Sequence, residues 1–185
     1  DPWRWTFVGR EALWRRDGRD AKWDRRPIGD DDAGIGGGVN TAAAAPGQWG
    51  TWLVAGINGI VRTADDGVTW DTVDAAMREG GIGQPPQPII HVVGTWVTFA
   101  PGTAAVAYAA VNQVARDPSQ RGLWRSADGG RTWERRVVDD QRVPADGGGT
   151  LTAVITGGTR IFVSPHDPDD VAFAFGQTTD GYGTD

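Results

Sequence analysis

A short pattern that occurs twice limits what this chain can fold into. The pattern is Ser/Thr-x-Asp-x-Gly-x-Thr-Trp, and its copies occupy residues 63–70 and 126–133. Its defining residues are Thr63, Asp65, Gly67, Trp70, Ser126, Asp128, Gly130 and Trp133. A short apolar run that ends in an arginine precedes each copy, Arg62 in one and Arg125 in the other. Two copies in the same context indicate that the chain repeats one structural unit.

The pattern predicts a β-hairpin. Hydroxyl and carboxylate side chains at these positions bond the backbone amides of their own turn. Glycine takes the positive-φ position without steric cost. The tryptophan on the returning strand then packs over the turn. The pattern therefore makes a turn, and we expect its aspartate to be structural rather than catalytic.

This pattern resembles the Asp-box, or BNR, repeat. Members of that family include sialidases, xyloglucanase-type endoglucanases, sortilin-like receptors and photosystem II assembly factors, all of which are β-propellers. The resemblance implies an all-β fold made of consecutive four-stranded antiparallel blades. In that family the boxes sit on turns away from the active sites, so the resemblance implies a fold and says little about function.

The start of the chain resembles the first copy without a complete box. Residues 5–16 align with residues 52–63 at a constant offset of 47. With the same offset Trp23 falls on Trp70, so residues 16–23 are interpreted as a degenerate box that keeps only its tryptophan. Burial of a large aromatic side chain stabilises a fold more than one turn hydrogen bond does, which explains this retention.

The repeats divide the chain into blades and a connection. The predicted parts are a partial blade with strands two to four (1–28), a blade with a box (38–76), a connection (77–95), a second blade with a box (96–140) and a partial blade with strands one and two (150–185). In the last part, residues 161–165 align with residues 97–101, and residues 171–175 align with residues 106–110. Such an incomplete arc leaves unpaired faces and edges. A segment of a longer propeller explains this best; closure by a partner chain and a stable open monomer are the alternatives.

Composition excludes several classes of protein. The 185 residues suffice for one domain, and 28 glycines suit many short strands and turns. The net charge of −6 shows no nucleic-acid footprint, and the absence of cysteine excludes disulfides and thiolate metal sites. No apolar stretch approaches the ~20 residues of a membrane helix. The chain starts at Asp1 without a signal peptide, as a removed signal or trimming would explain.

Most of the ten tryptophans have a repeat role. Eight recur at equivalent or strand positions, which predicts that they lie in the core. They are Trp5, Trp14, Trp23, Trp52, Trp70, Trp96, Trp124 and Trp133. The other two, Trp3 and Trp49, are candidate surface contacts.

No catalytic or metal-binding residue stands out. Acidic residues cluster at Asp30 to Asp32, at Asp65 with Asp66, at Asp139 with Asp140, and at Asp167, Asp169 and Asp170. Glycosidases need two carboxylates roughly 5–10 Å apart, and the sequence pairs none of these. The clusters lack a calcium-loop spacing, and His91 and His166 do not make a metal site. We therefore assign no catalytic residue, no metal and no cofactor.

The resemblance can be tested against two enzyme subfamilies. Sialidases carry an Arg-Ile-Pro motif and a tyrosine nucleophile; this chain has the scrambled Arg26-Pro27-Ile28 and only Tyr108 and Tyr182, which disfavours a sialidase. Xyloglucanase-type enzymes are closer in blade style. Their catalytic aspartate has no counterpart near the first strands, where only Glu11 lies.

Two classes of function remain. The first is a non-catalytic propeller segment that serves as a protein-interaction or assembly scaffold, outside the cytoplasm in the periplasm or secreted. The alternative is part of a secreted xyloglucanase-type glycoside hydrolase acting on polysaccharide. The expected partners are accordingly a protein, the remaining blades of a longer chain, or a polysaccharide, and not nucleic acid.

Overall fold

The fold is built from antiparallel β-strands. The computed structural model describes residues 4–28, 38–56, 59–73, 92–113, 122–138, 141–144, 150–154, 160–174 and 176–178. Every regular element in these ranges is a strand, and no helix long and apolar enough to cross a membrane occurs among them. The predicted all-β class is confirmed.

The first two sheets share one hydrogen-bond register. The first sheet contains β1 (Arg4–Val8), β2 (Ala12–Asp17) and β3 (Asp24–Pro27) in that order. The second contains β4 (Val39–Ala44), β5 (Trp52–Gly56), β6 (Gly59–Thr63) and β7 (Asp71–Thr72). Trp5 lies opposite Arg16 in the first sheet, as Trp52 lies opposite Thr63 in the second. The offset of 47 found in the sequence therefore also relates the strand pairings.

The third sheet repeats the arrangement of the second. Its strands are β8 (Val92–Phe99), β9 (Ala107–Gln113), β10 (Gly122–Ser126) and β11 (Glu134–Val138), in spatial order β11-β10-β9-β8. The two sheets thus have the four antiparallel strands that the resemblance implies for a propeller blade.

The remaining strands form another three-stranded sheet and a two-stranded hairpin. β12 (Gln141–Pro144), β13 (Thr150–Val154) and β16 (Gly176–Thr178) make a three-stranded sheet. Between β13 and β16, β14 (Arg160–Val163) pairs with β15 (Val171–Ala174), and we call this pair the last hairpin. The sequence predicts strands near β14 and β15, but it did not predict β12, β13 and β16.

The alignment of the last hairpin with the third sheet was wrong by one residue in its second strand. The sequence comparison matches Val171 with Val106, but the pairings make Val171 equivalent to Ala107, since Val163 faces Val171 as Phe99 faces Ala107. A slip of one residue moves every side chain of a strand to the other face of its sheet. Only the pairing register reveals which side chains point to the core.

Apolar contacts between neighbouring sheets form the core. Leu13 of the first sheet and Ile28, which directly follows β3, cluster with Val54 and Val61 of the second sheet. Because side chains alternate between the two faces of a strand, Leu53, the neighbour of Val54, lies on the other face of the second sheet. It belongs to the cluster shared with the third sheet.

The third sheet is also covered on both faces. Phe99 and Trp124 pack in the cluster with the second sheet, whereas Tyr108 and Leu123 pack with Ile161 of the last hairpin. The stacking order is therefore first sheet, second sheet, third sheet and last hairpin. Within the described residues no sheet closes on itself, which confirms the predicted open arc of blade-like sheets. The exact blade boundaries stay a prediction, because segments such as 74–91 lie outside the described residues.

The expectation that eight repeat tryptophans lie in the core is wrong for two of them. Trp5 is 52% exposed and Trp23 is 45% exposed. Their equivalents Trp52 and Trp70 are half-buried and pack in the cluster between the first and second sheets. The difference has a simple cause: in the described chain the first sheet has a neighbouring sheet on only one of its faces.

A glycine of the second repeat turn fits closely against the neighbouring sheet. Gly130 has a φ of +85°, and a Cβ at this position would lie 2.8 Å from Leu53 Cδ2. Leu53 is itself fully buried between the second and third sheets. The turn can approach the core only because this residue has no side chain.

We predict that Gly130→Ala destabilises the fold more than Gly102→Ala. Gly102 has a similar φ of +76°, but nothing lies within 4 Å of the place that an alanine methyl group would occupy. Left-handed backbone should cost each variant about 1–2 kcal/mol, and the contact with Leu53 should cost Gly130→Ala a further ~1–3 kcal/mol. Urea unfolding measures both losses. Equal losses would show that the close approach to Leu53 does not matter.

Candidate binding site

The site is built on the two repeat turns, which have the same internal hydrogen bonds. In the first turn (63–70) the Thr63 hydroxyl donates to Asp65 Oδ1 at 2.8 Å and accepts from the Gly67 amide at 2.9 Å. Asp65 accepts from both the amide and the hydroxyl of Thr69, at 2.9 and 2.7 Å. The aspartate is therefore committed to its own turn.

The second turn (126–133) repeats these bonds through other residues. Ser126 Oγ donates to Asp128 Oδ1 at 2.8 Å and accepts from the Gly130 amide at 2.8 Å. The Thr132 amide and hydroxyl donate to Asp128 at 2.8 and 2.6 Å. Desolvation raises the pKa of Asp128, but the hydrogen bonds outweigh it and lower that pKa to about 2. The same balance at Asp65 also gives a pKa of about 2.

An arginine near the end of each of the strands β2, β6 and β10 reaches the next sheet. Arg62 is buried, and its Nε donates to the carbonyl of Gly129 at 2.8 Å. Arg15, its equivalent at the offset of 47, bonds Asp66 Oδ2 through Nη1 at 2.6 Å. Arg125 Nε donates to Asp169 Oδ1 at 2.7 Å on the loop of the last hairpin. These three arginines connect successive sheets through charge-assisted contacts.

Asp66, on the first repeat turn, makes several contacts with arginines of the first sheet. It lies where the second turn has Gly129, and it has a φ of +63°, which aspartate tolerates better than most residues. Its carboxylate is buried and binds Arg4 Nη2 at 2.9 Å as well as Arg15. Its backbone carbonyl accepts from Arg26 Nη1 at 2.9 Å. One residue of the second sheet thus holds three arginines of the first.

Asp17 completes the charged cluster. It pairs with Arg4 Nε at 3.1 Å and with Arg15 Nη2. The hydrogen bond from Arg15 lowers the pKa of Asp17 and raises that of Arg15, because each charge stabilises the other. Both arginines therefore bridge two carboxylates, Asp17 and Asp66.

An exposed tryptophan stands beside this cluster. Trp49 lies on the β4–β5 loop and is 79% exposed. The loop is held by bonds from the Ala45 amide to Thr51 O at 2.9 Å and from the Asp66 amide to Gly50 O at 2.8 Å. Gly50 permits the second bond, because with a φ of +87° a Cβ here would lie 3.1 Å from the Asp66 amide nitrogen. The indole is therefore presented on a fixed loop.

A cleft extends from the indole to the arginines. It has a volume of about 320 Å³ and is lined by residues that include Thr6, Gln48, Trp49 and Trp52. A second hollow of about 370 Å³ is lined by Arg4, Arg15, Asp17 and Trp49. The Arg4 guanidinium lies 5.9 Å from the centre of the Trp49 ring. The cleft thus combines an aromatic surface with charged and hydrogen-bonding groups, which suits a ligand with both flat apolar and polar parts.

The structure places only part of the sequence-predicted residues near this cleft. Trp49 is at its rim, whereas Trp3 lies outside the described residues. Asp65 and Asp66 are on the adjacent turn, but Asp30 to Asp32, Asp139, Asp140, His91 and Tyr182 lie outside the described residues. The functions of the two repeat turns and of Trp49 stay predictions.

The remaining predicted groups lie elsewhere. Asp167, Asp169 and His166 are on the loop of the last hairpin, where Asp169 accepts from Arg125. Tyr108 donates its hydroxyl to the Pro168 carbonyl at 2.8 Å, so it fastens this loop to the third sheet. No group of three or more potential metal ligands occurs among the described residues. Glu11 lies between β1 and β2, at the opposite end of the first sheet from Arg4 and Asp17.

Sequence reasoning missed Arg4 and Arg15, and it noted Asp66 only as one member of an acidic pair. One signal was present: the apolar run before each box ends in an arginine, and the repeat places Arg15 with Arg62 and Arg125. A second signal was the aspartate at position 66, where the other box has Gly129. Neither signal shows that these side chains meet, because Arg4 and Asp66 are 62 residues apart.

We predict that Asp128→Asn lowers the free energy of unfolding at neutral pH and that this loss becomes smaller as the pH falls. The folded pKa of about 2 lies below the unfolded value of about 3.9. The carboxylate therefore stabilises the fold above pH ~4, and this contribution is lost as the pH falls towards 2. The difference in unfolding free energy between wild type and variant should shrink over that window in urea titrations. A difference that stays constant from pH 7 to pH 2 would contradict the assigned hydrogen bonds.

We also predict strong coupling between Arg15 and Asp66. A double-mutant cycle with Arg15→Gln and Asp66→Asn should give an interaction energy of about 0.5–3 kcal/mol in urea unfolding, because the two charges meet at a partly buried site. Asp20→Asn, at an exposed turn position, is the matched control in a second cycle with Arg15→Gln. Additive effects of Arg15→Gln and Asp66→Asn would show that the pair does not join the sheets.

Comparisons with known proteins find similarity in structure only. No protein-family model matches the chain, and no curated protein does. The YCF48 structure bound to D1 peptide is 15% identical, with a TM-score of 0.44, over 97% of this chain and 52% of that one. The GH74 xyloglucanase from Xanthomonas campestris is 18% identical, with a TM-score of 0.40, over 80% of this chain and 23% of the enzyme.

A third similar structure is an ancestral GH74 enzyme. It is 12% identical, with a TM-score of 0.38, over 95% of this chain and 29% of the enzyme. The chain therefore spans between about a quarter and a half of the length of these β-propeller proteins. At these identities and TM-scores the likeness carries no inference about activity, ligand or partner.

Proposed function

We propose that the chain is part of an Asp-box β-propeller that works as a non-catalytic scaffold and binds a protein partner at the Trp49 cleft, outside the cytoplasm. The observation that carries the proposal is the presentation of Trp49. A 79% exposed indole on a loop held by backbone hydrogen bonds contributes nothing to the core. Such preorganised aromatic anchors are the residues that dominate binding at protein interfaces.

The surroundings of Trp49 suit a peptide segment. Arg4, at 5.9 Å from the indole, and Gln48 supply polar groups that line the same cleft. Ala44 and Trp52 also line the cleft. This combination of apolar and polar groups is typical of protein-binding surfaces.

The charged cluster argues against hydrolysis at this cleft. Asp17 and Asp66 are two carboxylates on either side of Arg4 and Arg15, and a glycosidase would need one of them protonated as general acid. The hydrogen bond from Arg15 lowers the pKa of Asp17, so Asp17 is poorly suited to donate a proton. Both carboxylates are also occupied by the arginines that join the two sheets.

The position of the cleft supports the same conclusion. The β4–β5 loop with Trp49 and the first repeat turn lie at one end of the second sheet, joined by the bond from the Asp66 amide to Gly50. The Asp-box resemblance implies that this end lies away from the family's active sites. A xyloglucanase-type hydrolase remains the second candidate, and its carboxylates would have to come from outside the described residues.

A peptide selection tests the proposal. A displayed library of random peptides is panned against the chain, and selected peptides are measured by calorimetry against variants. We expect at least tenfold weaker binding to Trp49→Ala, because the indole supplies the main apolar contact. Trp23→Ala, which removes another exposed indole, is the matched control and should bind as the wild type does.

Assays with a polysaccharide test the second candidate function. Retardation of the chain in gels that contain soluble β-glucan, lost in Trp49→Ala, would favour the polysaccharide candidate. Hydrolysis of β-glucan would exclude a scaffold as the sole function. A selection that yields no peptide sensitive to Trp49→Ala would overturn the proposed protein-binding site.

A further inference from the structure

Asp66 is connected to Trp49 by two separate routes. Its backbone amide donates to the carbonyl of Gly50 at 2.8 Å, and Gly50 directly follows Trp49 in the β4–β5 loop. Its carboxylate binds Arg4 Nη2 at 2.9 Å, and the Arg4 guanidinium lies 5.9 Å from the centre of the Trp49 ring. Asp66 therefore holds the backbone of the loop and also the cation that lies beside the indole.

The third sheet shows that the loop itself does not require a carboxylate. Its corresponding loop joins β8 to β9, and the carbonyl of Ala105 in that loop accepts from the Gly129 amide at 2.7 Å. This bond is equivalent to the one between Asp66 and Gly50, but Gly129 has no side chain. A glycine at this position of the turn is therefore enough to hold the loop.

The arginine that joins two sheets does not require a carboxylate either. Arg62, the equivalent of Arg15, reaches the third sheet through the carbonyl of Gly129 at 2.8 Å. A backbone carbonyl of the turn is thus a sufficient acceptor for this arginine. What the carboxylate of Asp66 adds to the arrangement of the other unit is its bond to Arg4.

The residue at the tip of the loop differs between the two units as well. Ala45 and Ala100 close their loops with the same backbone bond, which is 2.9 Å long in each. Trp49 and Ala104 each lie four residues after that alanine, so they are equivalent. The unit with a carboxylate on its turn thus presents an indole, and the unit with a glycine there presents a methyl group. An indole that is ordered before binding loses less entropy when a partner binds, whereas a methyl group needs no such ordering.

We infer that Asp66 is a positioning residue of the Trp49 cleft. Its amide holds the loop and its carboxylate holds Arg4 beside the indole, so that the ring is ordered before a partner binds. Because Arg4 belongs to the first sheet, the placement of the indole depends on the contact between the first and second sheets. The inference rests on the proposed function and deepens it, since Asp66 then sets the affinity for the partner although Trp49 supplies the main apolar contact.

A double-mutant cycle in peptide binding is the first test. It uses a selected peptide that binds tightly enough to be measured with Trp49→Ala. Asp66→Asn removes the charge but keeps the backbone amide and a residue type that tolerates a positive φ. Because Asp66 acts through the indole, we expect Asp66→Asn to weaken binding about fivefold or more in the wild-type background and less than about twofold in the Trp49→Ala background. Calorimetry measures the affinities, and circular dichroism must show that every variant is folded.

Asp169→Asn is the matched control for the loss of a carboxylate between sheets. Asp169 pairs at 2.7 Å with Arg125, the equivalent of Arg15, and this pair joins the third sheet to the last hairpin. The control variant should bind the peptide as the wild type does. Equal losses of affinity from Asp66→Asn with and without the Trp49 indole would show that Asp66 does not act through the indole, which would overturn the inference.

The order of the indole can also be measured without a ligand. Fluorine NMR is recorded on the chain labelled with a fluorinated tryptophan, and the Trp49 resonance is the one that is absent from Trp49→Phe. In Asp66→Asn and in Arg4→Gln we expect this resonance to sharpen and to move towards the shift of the free amino acid, because the ring is released. Asp169→Asn should leave the resonance unchanged.

The two measurements separate this inference from the proposed function. If no selected peptide is sensitive to Trp49→Ala, the proposed function fails, and the fluorine resonance still decides whether Asp66 positions the indole. If peptides are sensitive to Trp49→Ala but bind Asp66→Asn as tightly as the wild type, the proposed function stands and the inference is overturned. A Trp49 resonance that does not change in Asp66→Asn overturns the inference in either case.

Discussion

Burial of each sheet against the next is the interaction on which this structure depends. A single antiparallel sheet has no interior, so Leu53 and Val54, adjacent in one strand, must find cover on opposite sides. The second and third sheets have that cover on both faces, and their apolar side chains are buried there. The first sheet has it on one face, which is why Trp5 is exposed although its equivalent Trp52 is not.

Polar contacts then set how the stacked sheets meet. In each repeat turn the aspartate is bonded within the turn, since Asp65 and Asp128 accept hydrogen bonds from Thr69 and Thr132. Their outer backbone and side-chain groups can therefore serve as fixed acceptors for arginines of the preceding sheet. Arg62 uses the carbonyl of Gly129, and Arg15 uses the carboxylate of Asp66. The same turn thus ends a hairpin and supplies an anchor between sheets, and beside the first turn it also supports the loop of Trp49.

The sequence predicted the hairpins, the all-β class and Trp49 as a surface residue, because these depend on local patterns. The hydrogen bonds of the turn join residues within an eight-residue pattern. Trp49 was a candidate for the surface because it has no equivalent position in the repeats. The cleft itself was not predicted. Arg4 and Asp66 meet only when two sheets stack, and no short-range pattern encodes that distance. The register of the last hairpin failed for a related reason, since the identity of Val171 with Val106 favours one alignment and only the cross-strand pairing with Val163 shows the other.

The sequence by itself therefore determined the strands and turns of the repeated units, and that these units repeat, whereas β12, β13 and β16 lie outside the repeat pattern. Glycine, threonine and aspartate at set spacings impose the turn through bonds to adjacent backbone, whatever the rest of the chain does. Only the tertiary structure decided which repeated tryptophans are buried, which arginine finds which turn, and where an indole stands beside a cleft. These properties depend on the face that each sheet presents to its neighbour, and a side chain's cover comes from residues remote in the chain.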